Sequence, residues 1–181
     1  VSAAGGVGDA SYGAFFATAA TNPDAGEVLV CWEGEDDVEL AANEREIFCQ
    51  RLDAATGAEL GDDSRISDMG GLGNTSYVAH DPFVVYNSVH HTYLVVWWGT
   101  DDSGALVAGE REIFGQLLAG ADAAEIGTDF RVSDMGPDLS STFAAQEPAV
   151  AWASGPDEYL IVWWGDDDTA PLVSGEDEIF A

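Results

Sequence analysis

The chain has 181 residues, 46% of them apolar, and its 34 Asp and Glu against five Lys and Arg give a formal net charge of −29 at pH 7. The apolar content rules out a disordered polyanion and suffices for a sizeable core, while the acidity suits a saline surrounding or a cation partner. All five cations are arginines scattered along strand-like segments, so the basic footprint that nucleic acid requires is missing, and no apolar run reaches the roughly 20 residues of a membrane helix.

In chain order, the first predicted strands are 14–18 and 27–32, joined by a turn through Thr21, Asn22, Pro23, Asp24, Ala25 and Gly26. A third follows an acidic loop at 46–52, and a fourth lies at 64–67. The pattern then recurs. Strands at 82–86, 93–98, 112–118 and 130–133 form a second copy, and 147–152, 159–164 and 178 onward form a third. Two apolar runs around a short Gly, Pro or Asn turn read as an antiparallel hairpin. The second strand of each copy is apolar at nearly every position, as in Tyr93-Leu94-Val95-Val96-Trp97, which predicts cover on both faces.

A period of about 65 residues with four antiparallel strands per unit predicts an all-β, β-propeller-like fold. The expected division is 1–12 as the tail of a preceding blade and linker, 13–68 as blade 1, 69–134 as blade 2 with its linker, and 135–181 as linker and blade 3. About three four-stranded blades result, with the first and last incomplete. Three blades fall short of the usual ring, so the chain is expected to be a segment whose ring is completed by further blades or other subunits.

The run Pro82, Val84, Tyr86, then Tyr93 to Trp97, then Glu112 to Leu118, then Phe130-Arg131-Val132-Ser133 resembles tandem propeller-type repeats of large secreted or surface bacterial proteins. The resemblance implies an extracellular, periplasmic or cell-surface location and says little about ligand.

The acidic loop between the second and third strands is the leading candidate site. It offers Asp36, Asp37, Glu44 and Glu46 in the first copy, Asp101, Asp102, Glu110 and Glu112 in the second, and Asp167, Asp168, Glu176 and Glu178 in the third. Residues two apart on a strand share a face, so each Glu-x-Glu presents paired carboxylates, and Ca²⁺ takes six to eight oxygens from such loops. A solvated acidic edge accounts for the same residues. Cys31 and Cys49 fall on neighbouring strands and are candidates for a cross-strand disulfide. His80, His90 and His91 are read as loop residues, and Arg45 and Arg111 as structural ion-pair partners.

The acidic residues recur at equivalent positions, which reads as scaffolding. The leading expectation is therefore an extracellular structural or interaction module, calcium-stabilised, and not an enzyme. The alternative is a carbohydrate-binding or glycoside-cleaving propeller domain, with Trp98 and Trp164 stacking on sugar. Asp81 and Glu147, near the starts of the first strands, are then the nearest paired carboxylates.

Overall fold

A computed structural model describes residues 2, 11–36, 40–104 and 106–181. Three antiparallel sheets follow one another along the chain. The first contains β1 (Ala14–Asn22), β2 (Glu27–Gly34), β3 (Glu46–Asp53) and β4 (Ser64–Arg65), hydrogen-bonded in that order. The second contains β5 (Ala79–Asn87), β6 (Thr92–Gly99), β7 (Glu112–Ala119) and β8 (Glu125–Arg131), also in order. The third has β9 (Ala144–Ala153), β10 (Glu158–Asp166) and β11 (Glu178–Phe180). These are three blades of a β-propeller-type fold, the third with three strands. The first strands β1, β5 and β9 are neighbours across successive sheets, which makes them the innermost strands.

Each blade repeats one packing device. Trp32 lies opposite Phe48, Trp97 opposite Phe114, and Trp163 opposite Phe180 in the β-ladder, with near-parallel rings and centroids 6.3, 6.4 and 6.2 Å apart. Trp97 is fully buried, and Tyr93 to Val96 are buried with it, because both faces of β6 are covered. One side packs on Leu29, Ile47, Ile66 and Met69 of blade 1 and its linker. The other side packs Leu94 and Val96 against Met135, Ala145, Val150 and Trp163. Met69 and Met135 are equivalent linker residues wedged between successive blades. In β10 the alternation shows instead, with Leu160 58% exposed.

Cys31 and Cys49 are direct cross-strand partners, both buried, and their sulfurs are bonded. Closing a loop 18 residues apart in sequence limits the unfolded chain by about 3 kcal/mol. Cys31→Ala/Cys49→Ala is therefore expected to lower the melting temperature by roughly 6 to 12 °C, measured by calorimetry. An unchanged melting temperature would show that the bond contributes nothing to stability.

Several strand boundaries differ from expectation, and β1 runs on to Asn22, into the predicted turn. The inner strands β5 and β9 begin three residues before Pro82 and Glu147, and they cross an irregularity that the prolines had suggested was a strand start. β8 begins five residues before Phe130, its register shifting after Leu117 on the partner strand.

Candidate functional site

The irregularity in the inner strands is the same in all three blades. Phe15 pairs with Glu33 and Thr18 with Cys31, so Phe16 and Ala17 together face Trp32. His80 pairs with Trp98 and Phe83 with Val96, leaving Asp81 and Pro82 against Trp97. Gln146 pairs with Trp164 and Ala149 with Val162, leaving Glu147 and Pro148 against Trp163. Two residues opposing one is a β-bulge, which tolerates a proline that cannot donate to the ladder. The first bulge residue is left-handed each time, with φ of 50° at Phe16, 49° at Asp81 and 48° at Glu147. A non-glycine residue held there costs on the order of 1 kcal/mol, and such outliers concentrate at functional sites.

Asp81 is tied into a polar network across the boundary of blades 1 and 2. Its backbone N–H, withdrawn from the ladder, donates to Glu33 Oε2 at 3.1 Å, and the indole Nε1 of Trp98 donates to its Oδ2 at 2.6 Å. Fully buried Glu33 also meets His80 Nδ1 at 2.9 Å and accepts from Arg45 Nη1 at 2.9 Å. His80 stacks on Trp98, with centroids 4.3 Å apart, and the Arg111 guanidinium sits 5.2 Å from the same ring. Glu147 is exposed and has no hydrogen-bond or ion-pair partner among the described residues. Phe16, at the matching position of blade 1, is 64% exposed.

His80 is thus a strand residue of this network, not a loop residue. His90 and His91 do lie at the β5–β6 turn, where they reach Asp157 at 2.8 Å and Asp24 at 3.2 Å in neighbouring blades. Arg45 makes the ion pair expected of it. Arg111 has no carboxylate within ion-pair distance among the described residues and lies over Trp98 instead.

The acidic-loop carboxylates are placed differently from one another. Glu46 accepts from the Ser67 hydroxyl and from Met69 N–H at 2.8 Å. Glu112 repeats this with Ser133 and with Met135 N–H at 2.8 Å. Burial dominates at both sites, pushing Glu46 up to about 8 and raising Glu112 above the ordinary carboxylate range. Glu44 accepts from Gly73 and Ala41 N–H, and Glu110 from Val107 N–H, so neighbours in each Glu-x-Glu serve different loops. Asp101 accepts from Gly70 N–H at 3.1 Å and also binds Ser103, while Asp167 accepts from Gly136 N–H at 3.1 Å. Hydrogen bonds hold Asp167 below the usual range, although its slight burial pulls the other way. Glu176 accepts from Val173 N–H. Asp102, Asp168 and Glu178 are exposed, Asp36 is half-buried just after β2, and Asp37 is outside the described residues. Among the described residues no three His, Cys, Asp or Glu side chains converge in a group that could hold a metal ion.

The two stacking candidates also part company. Both His80 and Arg111 lie against the Trp98 ring. Trp164, half-buried, lines an open cavity of about 440 Å³ with Arg111, Gln146, Asp166 and Asp177.

No protein-family model and no curated protein sequence matches the chain. Solved structures do. It is similar to a Hadza microbial sialidase at 11% identity and TM-score 0.61, covering 87% of this chain and 33% of that one. It is similar to an N-acetylgalactosamine deacetylase from F. plautii, solved with blood group B trisaccharide, at 14% identity and TM-score 0.54, covering 87% and 46%. It is similar to an endo-arabinase from Bacteroides thetaiotaomicron at 13% identity and TM-score 0.53, covering 96% and 57%. The chain therefore spans about a third to under three-fifths of the length of these structures. At such identities the likeness establishes the propeller fold.

It also corrects one expectation. A non-enzymatic structural module was the leading reading because acidic residues recur between copies. Yet the structures it is similar to are named as a sialidase, a deacetylase and an endo-arabinase, which gives the scaffold reading no support and favours the carbohydrate alternative, taken up below as a proposal. The recurrent carboxylates have a simpler account as acceptors for backbone N–H groups within each blade and its linkers.

Proposed function

We propose that this chain is part of a carbohydrate-binding, glycoside-cleaving β-propeller, with Asp81 and Glu147 as its paired carboxylates. One observation carries the reading: the three equivalent bulges present Phe, Asp and Glu, so the repeat is broken at a left-handed backbone position that all three copies share. Scaffolding residues such as Trp97, Phe114 and Met135 keep their identity between copies, and these do not.

Glycoside hydrolysis requires two carboxyl groups, one acting as proton donor and the other as base or nucleophile. An indole N–H can only donate, so Trp98 fixes Oδ2 of Asp81 as an acceptor and suits it to the base or nucleophile role. Glu147, exposed and with no side-chain hydrogen bond or ion pair among the described residues, is left for the proton-donor role. The disulfide and the acidic surface support an extracellular or periplasmic setting. Calcium has no converging oxygen set among the described residues, and the reading does not require it. Further blades, or other subunits, would complete the ring.

The test is hydrolysis of a panel of aryl arabinofuranosides, galactosides and sialosides, beside binding of the corresponding oligosaccharides. Turnover of one class with none of the others is the expected result. Neither turnover nor binding across the panel would dismiss the proposal.

A further inference from the structure

The boundary between blades 1 and 2 and that between blades 2 and 3 use equivalent positions to opposite effect. At the first, Trp98 is covered by its cross-strand partner His80, which Glu33 holds in place. At the second, the equivalents are Trp164, its partner Gln146, and Trp98 in place of Glu33. An indole ring cannot anchor the Gln146 amide as a carboxylate anchors His80. The Gln146 side chain makes no hydrogen bond among the described residues, and the position opens into the 440 Å³ cavity.

The walls of that cavity are chemically incomplete. Asp166 is 8% exposed, with Oδ2 accepting from Gly175 N–H at 2.7 Å and buried Oδ1 without any donor. A buried acceptor left unpaired is costly, and a hydroxyl donor would relieve it. Arg111 and Asp177 are exposed on the cavity wall without ion-pair partners among the described residues. The other four arginines each have a carboxylate partner.

We infer that this interblade cavity is a binding site for one neutral glycosyl unit, seated on the Trp164 ring with its hydroxyls toward Asp166, Gln146 and Arg111. Aromatic faces suit the apolar face of a sugar ring, and convergent polar groups fix its orientation. Neutrality follows from the lining. Asp166 and Asp177 supply two negative charges against the single positive charge of Arg111, inside a chain of net charge −29. A uronate or sialate carboxylate meets net repulsion there. The inference rests on the carbohydrate reading above, but not on cleavage.

The test is saturable quenching of tryptophan fluorescence by methyl glycosides of neutral pentoses and hexoses, beside methyl glucuronide and sialic acid, using the full chain. At least one neutral glycoside is expected to bind at least tenfold more tightly than either acid. Trp164→Ala and Gln146→Ala, with circular dichroism confirming the fold, are expected to weaken that binding at least tenfold and about threefold, roughly the loss of a stacking surface and of one hydrogen bond. Asp62→Asn, at an exposed residue before β4 that does not line the cavity, is expected to leave it within about twofold. Unaltered binding in both cavity variants would overturn the site while leaving the carbohydrate reading in place, and preference for an acidic sugar would overturn its specificity. No binding by any sugar, even with hydrolysis detected, would also overturn the site.

Discussion

Asp81→Asn is expected to lower kcat/KM on whichever glycoside the panel identifies by about 10³-fold, within the range lost when a positioned acid or base is removed. The fold should survive. Asparagine tolerates the left-handed backbone that residue 81 adopts, and its side-chain oxygen can still accept from the Trp98 indole. Only ionisation is lost. Glu147→Gln removes no side-chain hydrogen bond or ion pair among the described residues, so its stability should stay within about 0.5 kcal/mol of the parent while activity falls by a similar factor. Rescue by azide or formate in either variant would identify which carboxylate faces the anomeric carbon. If both variants keep full activity while melting normally, the paired-carboxylate reading fails and the strained bulges need another explanation.

Much of the fold was legible because the apolar pattern is written three times. Tyr93 to Trp97 cannot sit half in water, so a sheet covered on both faces was a direct consequence of five consecutive apolar residues. The inner strands were less legible. A proline reads as a break in a ladder, and Pro82 and Pro148 placed the strand starts at 82 and 147, beyond His80 and Gln146. The pairing in fact continues across them, and the proline is accommodated as the second residue of a bulge. Nothing local announces that Asp81 and Glu147 are left-handed, since the strain is imposed by pairing with β6 and β10.

The candidate site was misplaced for a related reason. Repetition drew attention to the acidic loops, but repetition is what a blade needs for its own construction. Among the positions that differ between copies are 16, 81 and 147; 33, 98 and 164; and 45, 111 and 177. The contacts of Glu33 with Arg45, His80 and Asp81, and of Arg111 with Trp98, bring their members together where each inner strand begins. Sequence held a usable signal for this, namely the columns of the repeat in which Glu becomes Trp or Arg becomes Asp. It was visible only after the bulge had put residues 81 and 147 into register with Phe16.

Lowering the pH from about 8 to about 5 is expected to stabilise the protein, with the buried glutamates as the cause. Burial pushes Glu46 up to about 8 in the folded chain from an ordinary 4.5, because it disfavours the charged form more than Ser67, Met69 and Arg65 favour it. A raised folded value means that the native state binds the extra proton. Its contribution is complete below about 4.5 and is lost as pH rises through about 8. Within that window one such group changes stability by up to about 1.4 kcal/mol per pH unit. Glu112, shifted in the same direction by the same burial, adds to it. The exposed surface contributes with the same sign as carboxylates neutralise, but about 1 M NaCl shortens the screening length to roughly 3 Å and suppresses that part while sparing the buried pair. Denaturation at high salt should therefore still show stability falling toward pH 8. Glu46→Gln should flatten the slope, because an amide can accept from Met69 N–H and donate to Ser67 without ever carrying charge. An identical pH slope in Glu46→Gln would mean that the native chain pairs this carboxylate fully ionised, and that its hydrogen bonds outweigh its burial.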